Sequence, residues 1–247
     1  MTKGEPADQE SDTQLPLLLD AFSLVIFDFD GVIADSETIS LSTLKETFTK
    51  YGIDMPTQEV RRQFLGKSLA AIETFVAEHC TQRSTSAFAH DWQAELFRRF
   101  KRELSPISNV TSFLGVLASL QVPYCIASSG TFERIAVALK AMQMTALFEN
   151  VFSAEQVEHG KPAPDLFLHA AARVGVAPEN CLVIEDSPYG VRAAKAANMY
   201  CVGFVGGAHL RGIEDRHGEF LRQQGADLII PSYESLAPAL VTQRTKQ

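Results

Sequence analysis

Two acids one residue apart, Asp28 and Asp30, follow directly on the apolar run Leu24-Val25-Ile26-Phe27. That run reads as a buried strand, which puts both carboxylates just beyond its carboxyl end. Open α/β sheets bind their ligands in that place. Residues i and i+2 of an extended chain point the same way. Two like charges held that closely repel by about 4 kcal/mol at an effective dielectric of about 20. Such a pair calls for a cation, a shared proton or both. The chemistry it suggests is that of a metal-assisted catalytic site.

Three further polar sets stand at the ends of later apolar runs. Pro123 to Ala127 leads into Ser128-Ser129-Gly130, ahead of a helix predicted from Thr131. Hydroxyls and exposed N–H groups at a helix start make a phosphate cradle. Gly160-Lys161-Pro162-Ala163-Pro164-Asp165 opens another helix, with Lys161 constrained between a glycine and a proline. Cys181 to Ile184 runs into Glu185-Asp186-Ser187 and adds two more acids. Taken singly, each has a plain alternative. Asp closes strands as a turn residue, Ser128 can serve as a helix cap, and a lysine is usually a solvated charge. Their joint appearance, in order and each after a strand, is what carries the signal.

The elements that must position these groups alternate. Strand-like runs at Leu24 to Phe27, Pro123 to Ala127, Asn150 to Phe152, Cys181 to Ile184, Tyr200 to Val205 and Ala226 to Ile230 are apolar almost throughout. Continuous apolarity fits strands covered on both faces. Helical patterns at Thr131 to Met142, Pro164 to Val174, Tyr189 to Asn198 and Asp215 to Gln224 separate the later runs, which implies βαβ units and a parallel sheet. Between the first two runs the pattern is helical only. Asp35 or Ser36 can cap a helix reaching about Tyr51 and ended by Gly52. Others follow at Thr57 to Phe64, Leu69 to Cys80 and Ala87 to Leu104. So long a helical stretch exceeds an ordinary crossover. The expected organisation is a leader over residues 1–20, an α/β core from 21–33 and 107–247, and a helical cap over 34–106. The two linkers, near Ile33 and Pro106, form a natural hinge.

Composition narrows the function. The 247 residues include 22 basic and 30 acidic ones, a formal net charge of -8. An acidic chain is poorly suited to non-specific binding of nucleic acid or anionic membrane. Positive charge for phosphate chemistry must be local. Cys80, Cys125, Cys181 and Cys201 lack C-x-x-C spacing, which argues against a zinc site or a disulfide framework. No run is long enough to span a membrane, and the apolar Leu17-Leu18-Leu19 is too short for a signal core. A cytoplasmic protein is the default expectation, as a monomer or weak homodimer.

With these four motifs in order, the chain resembles the haloacid dehalogenase-like hydrolase superfamily, over about Ser23 to Val205. It is also similar to the branch that holds β-phosphoglucomutase and small sugar-phosphate phosphatases, including the helical cap after the first motif. The resemblance implies a Rossmann-like doubly wound parallel sheet, an α/β core with a smaller all-helical cap domain inserted after the first strand. It implies that Asp28 attacks phosphorus to form an aspartyl-phosphate. Asp30 then protonates the leaving oxygen and later takes a proton from water. Mg²⁺ is held by Asp28, the backbone carbonyl of Asp30, and Asp186, with Glu185 assisting directly or through water. Ser128 and Ser129 bind the phosphoryl group, and Lys161 neutralises its charge.

The implied activity is Mg²⁺-dependent hydrolysis of a small phosphate ester, with a sugar or polyol phosphate as the expected substrate and no nucleic acid or membrane partner. A phosphosugar mutase is the alternative within the family. Mutases of that branch rely on a cap histidine and a cap arginine, whereas alignment of the motifs puts Ser40 and Leu69 at those positions. A catalytically silent metabolite-binding regulator is the alternative outside enzymology. Candidate specificity residues are Glu37, behind the first motif, and Gly66 and Lys67 in the Gly66-Lys67-Ser68 loop. Glu37 also suits the first turn of its helix, where acids are favoured, and Lys67 also suits a solvated turn. Arg61 and Arg62 read as an exposed helix face. His209 reads as a loop histidine without a catalytic role, with entry to the site from the core side as the alternative.

Overall fold

The computed structural model describes residues 21–67, 69–80 and 84–236. The expected leader, Ser68 of the candidate loop, residues 81–83 and residues 237–247 lie outside them.

β1 (Leu24–Phe27) is wholly buried and pairs in parallel on both sides, with β2 (Tyr124–Ser128) and β4 (Cys181–Glu185). β3 (Val151–Ser153), β5 (Tyr200–Phe204) and β6 (Leu228–Ile230) complete a six-stranded parallel sheet in the order β3-β2-β1-β4-β5-β6. The winding reverses at β1, so a crevice opens beyond the carboxyl ends of β1, β2 and β4. Register keeps those ends level: Phe27 lies opposite both Ile126 and Ile184, and the Asp28 N–H continues the ladder to the Ile184 carbonyl at 2.9 Å.

Alternate residues of each strand feed two apolar cores. Val25, Phe27, Ile126, Leu182 and Ile184 face one side, with α5 (Val110–Ser119) and α6 (Phe132–Ala141) contributing Phe113, Leu117, Ile135 and Leu139. Leu24, Ile26, Cys125 and Val183 face the other, under α7 (Asp165–Val174) and α8 (Pro188–Ala196). Both faces are therefore covered, which is why the runs do not alternate in polarity. The buried Tyr233 ring stacks between Phe113 and Phe204 at 5.1 Å from each, and its hydroxyl donates to the Val32 carbonyl. That bond pins the turn immediately after Asp30.

The β1–β2 connection carries, ahead of α5, the helices α1 (Glu37–Lys50), α2 (Thr57–Phe64), α3 (Leu69–His79) and α4 (Phe88–Glu103). They share an aromatic interior in which Phe48 meets Phe64 at 5.2 Å and Phe88 at 5.9 Å. This interior is continuous with the core above the sheet. The chain leaves and re-enters the sheet layer side by side: Asp35 N–H donates to Ser105 and Ile107 N–H to Ile33. Gly52 ends α1 at φ +76°, a conformation open to glycine at no steric cost. The remaining helix, α9 (Glu214–Gln223), lies between β5 and β6. α5 is missing from the helices anticipated above, although its buried Val110, Phe113, Leu114 and Leu117 follow helical spacing. Among the described residues no helix is long and apolar enough to cross a membrane.

Candidate active site

The parallel pairing of β1 with β4 places Asp28 beside Glu185, and Asp186 follows one residue later. Oxygens of Asp28, Glu185 and Asp186 all lie within 4.8 Å of one another, and all three residues are buried. Two glycines make this approach possible. A side chain at Gly31, where φ is +82°, would overlap the Asp186 carboxylate, and one at Gly190 would overlap that of Glu185.

Lys161 enters this cluster from the loop ahead of α7. Its ammonium contacts Asp28 Oδ1 at 2.5 Å, Glu185 Oε1 at 2.7 Å and the Ala127 carbonyl at 2.9 Å, and it lies 4.7 Å from the Phe167 ring centroid. The lysine side chain is only 4% exposed. Burial opposes its charge, but Asp28 and Glu185 prevail and hold the ammonium above its ordinary pKa. Burial pushes the Asp28 carboxyl well up; Lys161 opposes that shift, and the Glu185 and Asp186 charges add to it. Glu185 is raised by burial in the same way. Its Oε2 also accepts the Ser187 N–H at 2.9 Å, so both of its oxygens already have partners. Ser187 caps α8 through the Tyr189 N–H.

On the β2 side, Ser128 is buried and its Oγ accepts the Gly130 N–H at 3.0 Å. Ser129 is exposed. The cap of α6 is Thr131, not Ser128: Thr131 accepts the Arg134 N–H. The Ser128 hydroxyl therefore has no helix to cap.

Asp30 lies where the start of α1 meets core helix α6. Its Oδ1 accepts from Ser36 Oγ and, at 2.8 Å, from a guanidinium nitrogen of Arg134. This corrects the expectation for Ser36. It precedes α1, but its hydroxyl goes to Asp30 and makes no cap bond, while Asp35 accepts the Ala208 N–H. Glu37 lies in the same junction, and its pKa rises to about 7. Burial is the main cause, the Asp30 charge adds to it, and Arg134 and His209 oppose it.

His209 reaches the site from the core side, and Arg61 departs from its sequence reading. His209 is buried, with Nε2 3.1 Å from Asp186 Oδ2; although burial opposes its charge, the Asp186 bond raises its pKa. Arg61 is not part of an exposed face: its guanidinium donates to the His209 carbonyl, joining α2 to the loop beneath. Arg62 does lie exposed, paired with Glu59. Lys67 is exposed, with its ammonium 3.5 Å from Tyr189 Oη on α8, and Gly66 takes φ +70° at the same turn. Arg134 had no motif to announce it.

Five carboxyl groups, Asp28, Asp30, Glu37, Glu185 and Asp186, thus surround two permanent cations, Lys161 and Arg134. Clustered hard oxygen donors with an uncompensated negative charge suit a divalent cation.

The family model for haloacid dehalogenase-like hydrolases matches residues 25–204. The 6-phosphogluconate phosphatase of Escherichia coli is 30% identical over 187 residues, covering 75% of this chain and 83% of that protein. Fructose-1-phosphate phosphatase YqaB of the same organism is 28% identical over 189 residues, covering 75% and 97%. A haloacid dehalogenase-like protein from Agrobacterium tumefaciens superposes with a TM-score of 0.75 at 31% identity, covering 91% of this chain and 99% of that one. Sheet order, motif placement and these similarities agree: the chain belongs to the haloacid dehalogenase-like hydrolases and is a phosphoric monoester hydrolase.

Proposed function

We propose that the protein is a Mg²⁺-dependent phosphatase that hydrolyses a small phosphorylated metabolite, a sugar or polyol phosphate, through an aspartyl-phosphate at Asp28. One observation carries this reading: Lys161 is buried between Asp28 and Glu185 at the switch point of the sheet, beside Asp186. A buried cation there neutralises the nucleophile before substrate arrives and the phosphoryl oxygens afterwards.

An Asp28 oxygen attacks phosphorus while the bond from phosphorus to the ester oxygen breaks, and Asp30 gives that oxygen its proton. Water then attacks phosphorus and passes a proton to Asp30. The bond to Asp28 breaks and inorganic phosphate leaves, so the acid and base roles reverse between the two halves. Ser128, with the N–H groups of Ser129 and Gly130, orients the phosphoryl group. Asp28, Asp186 and the Asp30 carbonyl would hold the Mg²⁺, which supplies Lewis-acid charge at the phosphoryl oxygens. Glu185, with both oxygens engaged, acts by fixing Lys161 and would support the metal only indirectly.

The helices over residues 34–106 act as a cap that excludes water and selects substrate, with Glu37, Gly66 and Lys67 at its mouth. The sugar-phosphate class rests on the two Escherichia coli relatives. Ser40 supports hydrolysis over mutase chemistry, because its hydroxyl is bound by Arg134 at 3.0 Å and cannot relay protons as an imidazole does. The test is phosphate release from a panel of sugar, polyol and nucleotide monophosphates, with and without Mg²⁺. Turnover that requires Mg²⁺ and disappears in Asp28→Asn supports the reading. Inactivity of a folded, metal-binding protein across the panel favours the silent regulator.

A further inference from the structure

Arg134 touches more parts of the junction than any function assigned so far requires. It starts on core helix α6, and its stem passes close over Gly130, where an added Cβ would lie 3.3 Å from its Cδ and equally near Ser128 Oγ. One guanidinium nitrogen donates to Asp30 Oδ1 at 2.8 Å and to Ser40 Oγ of α1 at 3.0 Å. The same guanidinium lies 5.4 Å from the ring centroid of Phe100 on α4. A single side chain therefore ties the phosphate loop, the acid of the first motif and two helices of the insert. Its Nε is buried with no acceptor among the described residues. An arginine kept for stability alone is expected to have its buried donors satisfied.

We infer that Arg134 is a positioning residue for Asp30, fixing which carboxyl oxygen carries the proton and making that geometry depend on where α1 and α4 sit. The inference rests on the acid/base role proposed above for Asp30. Its physical basis is hydrogen-bond counting. A guanidinium can only donate, so the Oδ1 that faces Arg134 is held as an acceptor, whichever way the Ser36 hydroxyl turns. The proton of neutral Asp30 is therefore favoured on Oδ2, leaving that oxygen to donate to the ester. The guanidinium contacts to Ser40 and Phe100 mean that an outward swing of α1 and α4 takes away the support on which the Arg134 fork rests. Asp30 is then aimed only with the helices in place.

The test uses the full chain with Mg²⁺ and single-turnover release of phenols from a series of substituted phenyl phosphates. A basic leaving group needs the proton from Asp30, whereas p-nitrophenolate leaves without one. Arg134→Gln is expected to slow phenyl phosphate about 10- to 100-fold and p-nitrophenyl phosphate no more than about 3-fold. In an Asp30→Asn background the same change is expected to add less than about 2-fold, because a residue that acts through Asp30 has nothing left to position. Arg134→Lys, which keeps the charge but not the planar fork, is expected to give an intermediate leaving-group dependence and guards against a misfolded glutamine variant. Equal slowing of all leaving groups, or an undiminished effect in the Asp30→Asn background, overturns the inference. Retention of p-nitrophenyl phosphate turnover by Asp28→Asn overturns the underlying function instead, so the two failures are told apart.

Discussion

The site has two halves built by different means. The half around Asp28, Lys161, Glu185 and Asp186 comes from strand ends that the parallel ladder holds level. The half around Asp30, Glu37, Arg134 and His209 comes from helix faces and a short loop that meet across the junction of insert and sheet. Sheet register is indifferent to where α1–α4 lie; the second half exists only while they pack against α6 and the His209 loop. On the proposed function, phosphoryl chemistry falls to the half that the sheet holds level, and proton transfer and selection to the half built where the insert meets it.

The largest expected effect breaks the rigid half. Asp28→Asn removes the proposed nucleophile and should lower turnover by about 10⁴-fold or more, measured as phosphate release, with folding retained. Lys161→Met is the next test. It leaves Asp28 and Glu185 buried beside Asp186 without their cation, and should cost about 3–5 kcal/mol in urea unfolding without added metal. Mg²⁺ should restore part of that loss. A variant as stable as the parent without metal would show that the cluster is not electrostatically strained.

These contrasts also explain what could be read from the chain. Asp28, Ser128, Lys161, Glu185 and Asp186 each follow an apolar run, and a parallel sheet brings run ends together whatever the helices do. Their convergence was therefore legible. Arg134 reaches Asp30 across 104 positions and Arg61 reaches His209 across 148. Neither carries a local pattern that distinguishes it from a surface arginine, and only packing of the insert reveals their targets. Ser36 misled for the related reason that a hydroxyl before a helix has a good local use, the cap, which a stronger acceptor nearby overrode. The period of α5 is present, but its Gly115 and β-branched and small residues weaken the helical propensity that marks such a run.

The adjustable half gives smaller effects. Glu37 has a folded-state pKa near 7 against an ordinary 4.5, so the fold favours its protonated form. The native state then binds more protons than the unfolded one between those values. Stability of the metal-free protein should fall as pH rises from about 4.5 through 7 and level off above. Glu37→Gln removes this group's share of the dependence and leaves those of Asp28, Glu185 and His209: in thermal unfolding with chelator it should match the parent near pH 4.5 and exceed it by up to about 2 kcal/mol above pH 7. A parallel pair of pH curves contradicts the assignment. Arg61→Ala severs one tie between α2 and the His209 loop and should cost about 1 kcal/mol or less. Its expected signature is a faster-exchanging backbone around residues 208–210, read by hydrogen exchange, with the strand ends unchanged.

The central claim is that phosphorus is transferred to Asp28 by an enzyme that needs a divalent cation. Acid quenching during turnover of a ³²P-labelled phosphate ester, followed by peptide mapping, tests it most directly. The account predicts a Mg²⁺-dependent, hydroxylamine-labile label on the peptide containing Asp28 and none in Asp28→Asn. Full turnover with no label on that peptide, or a label unaffected by loss of Asp28, would contradict it.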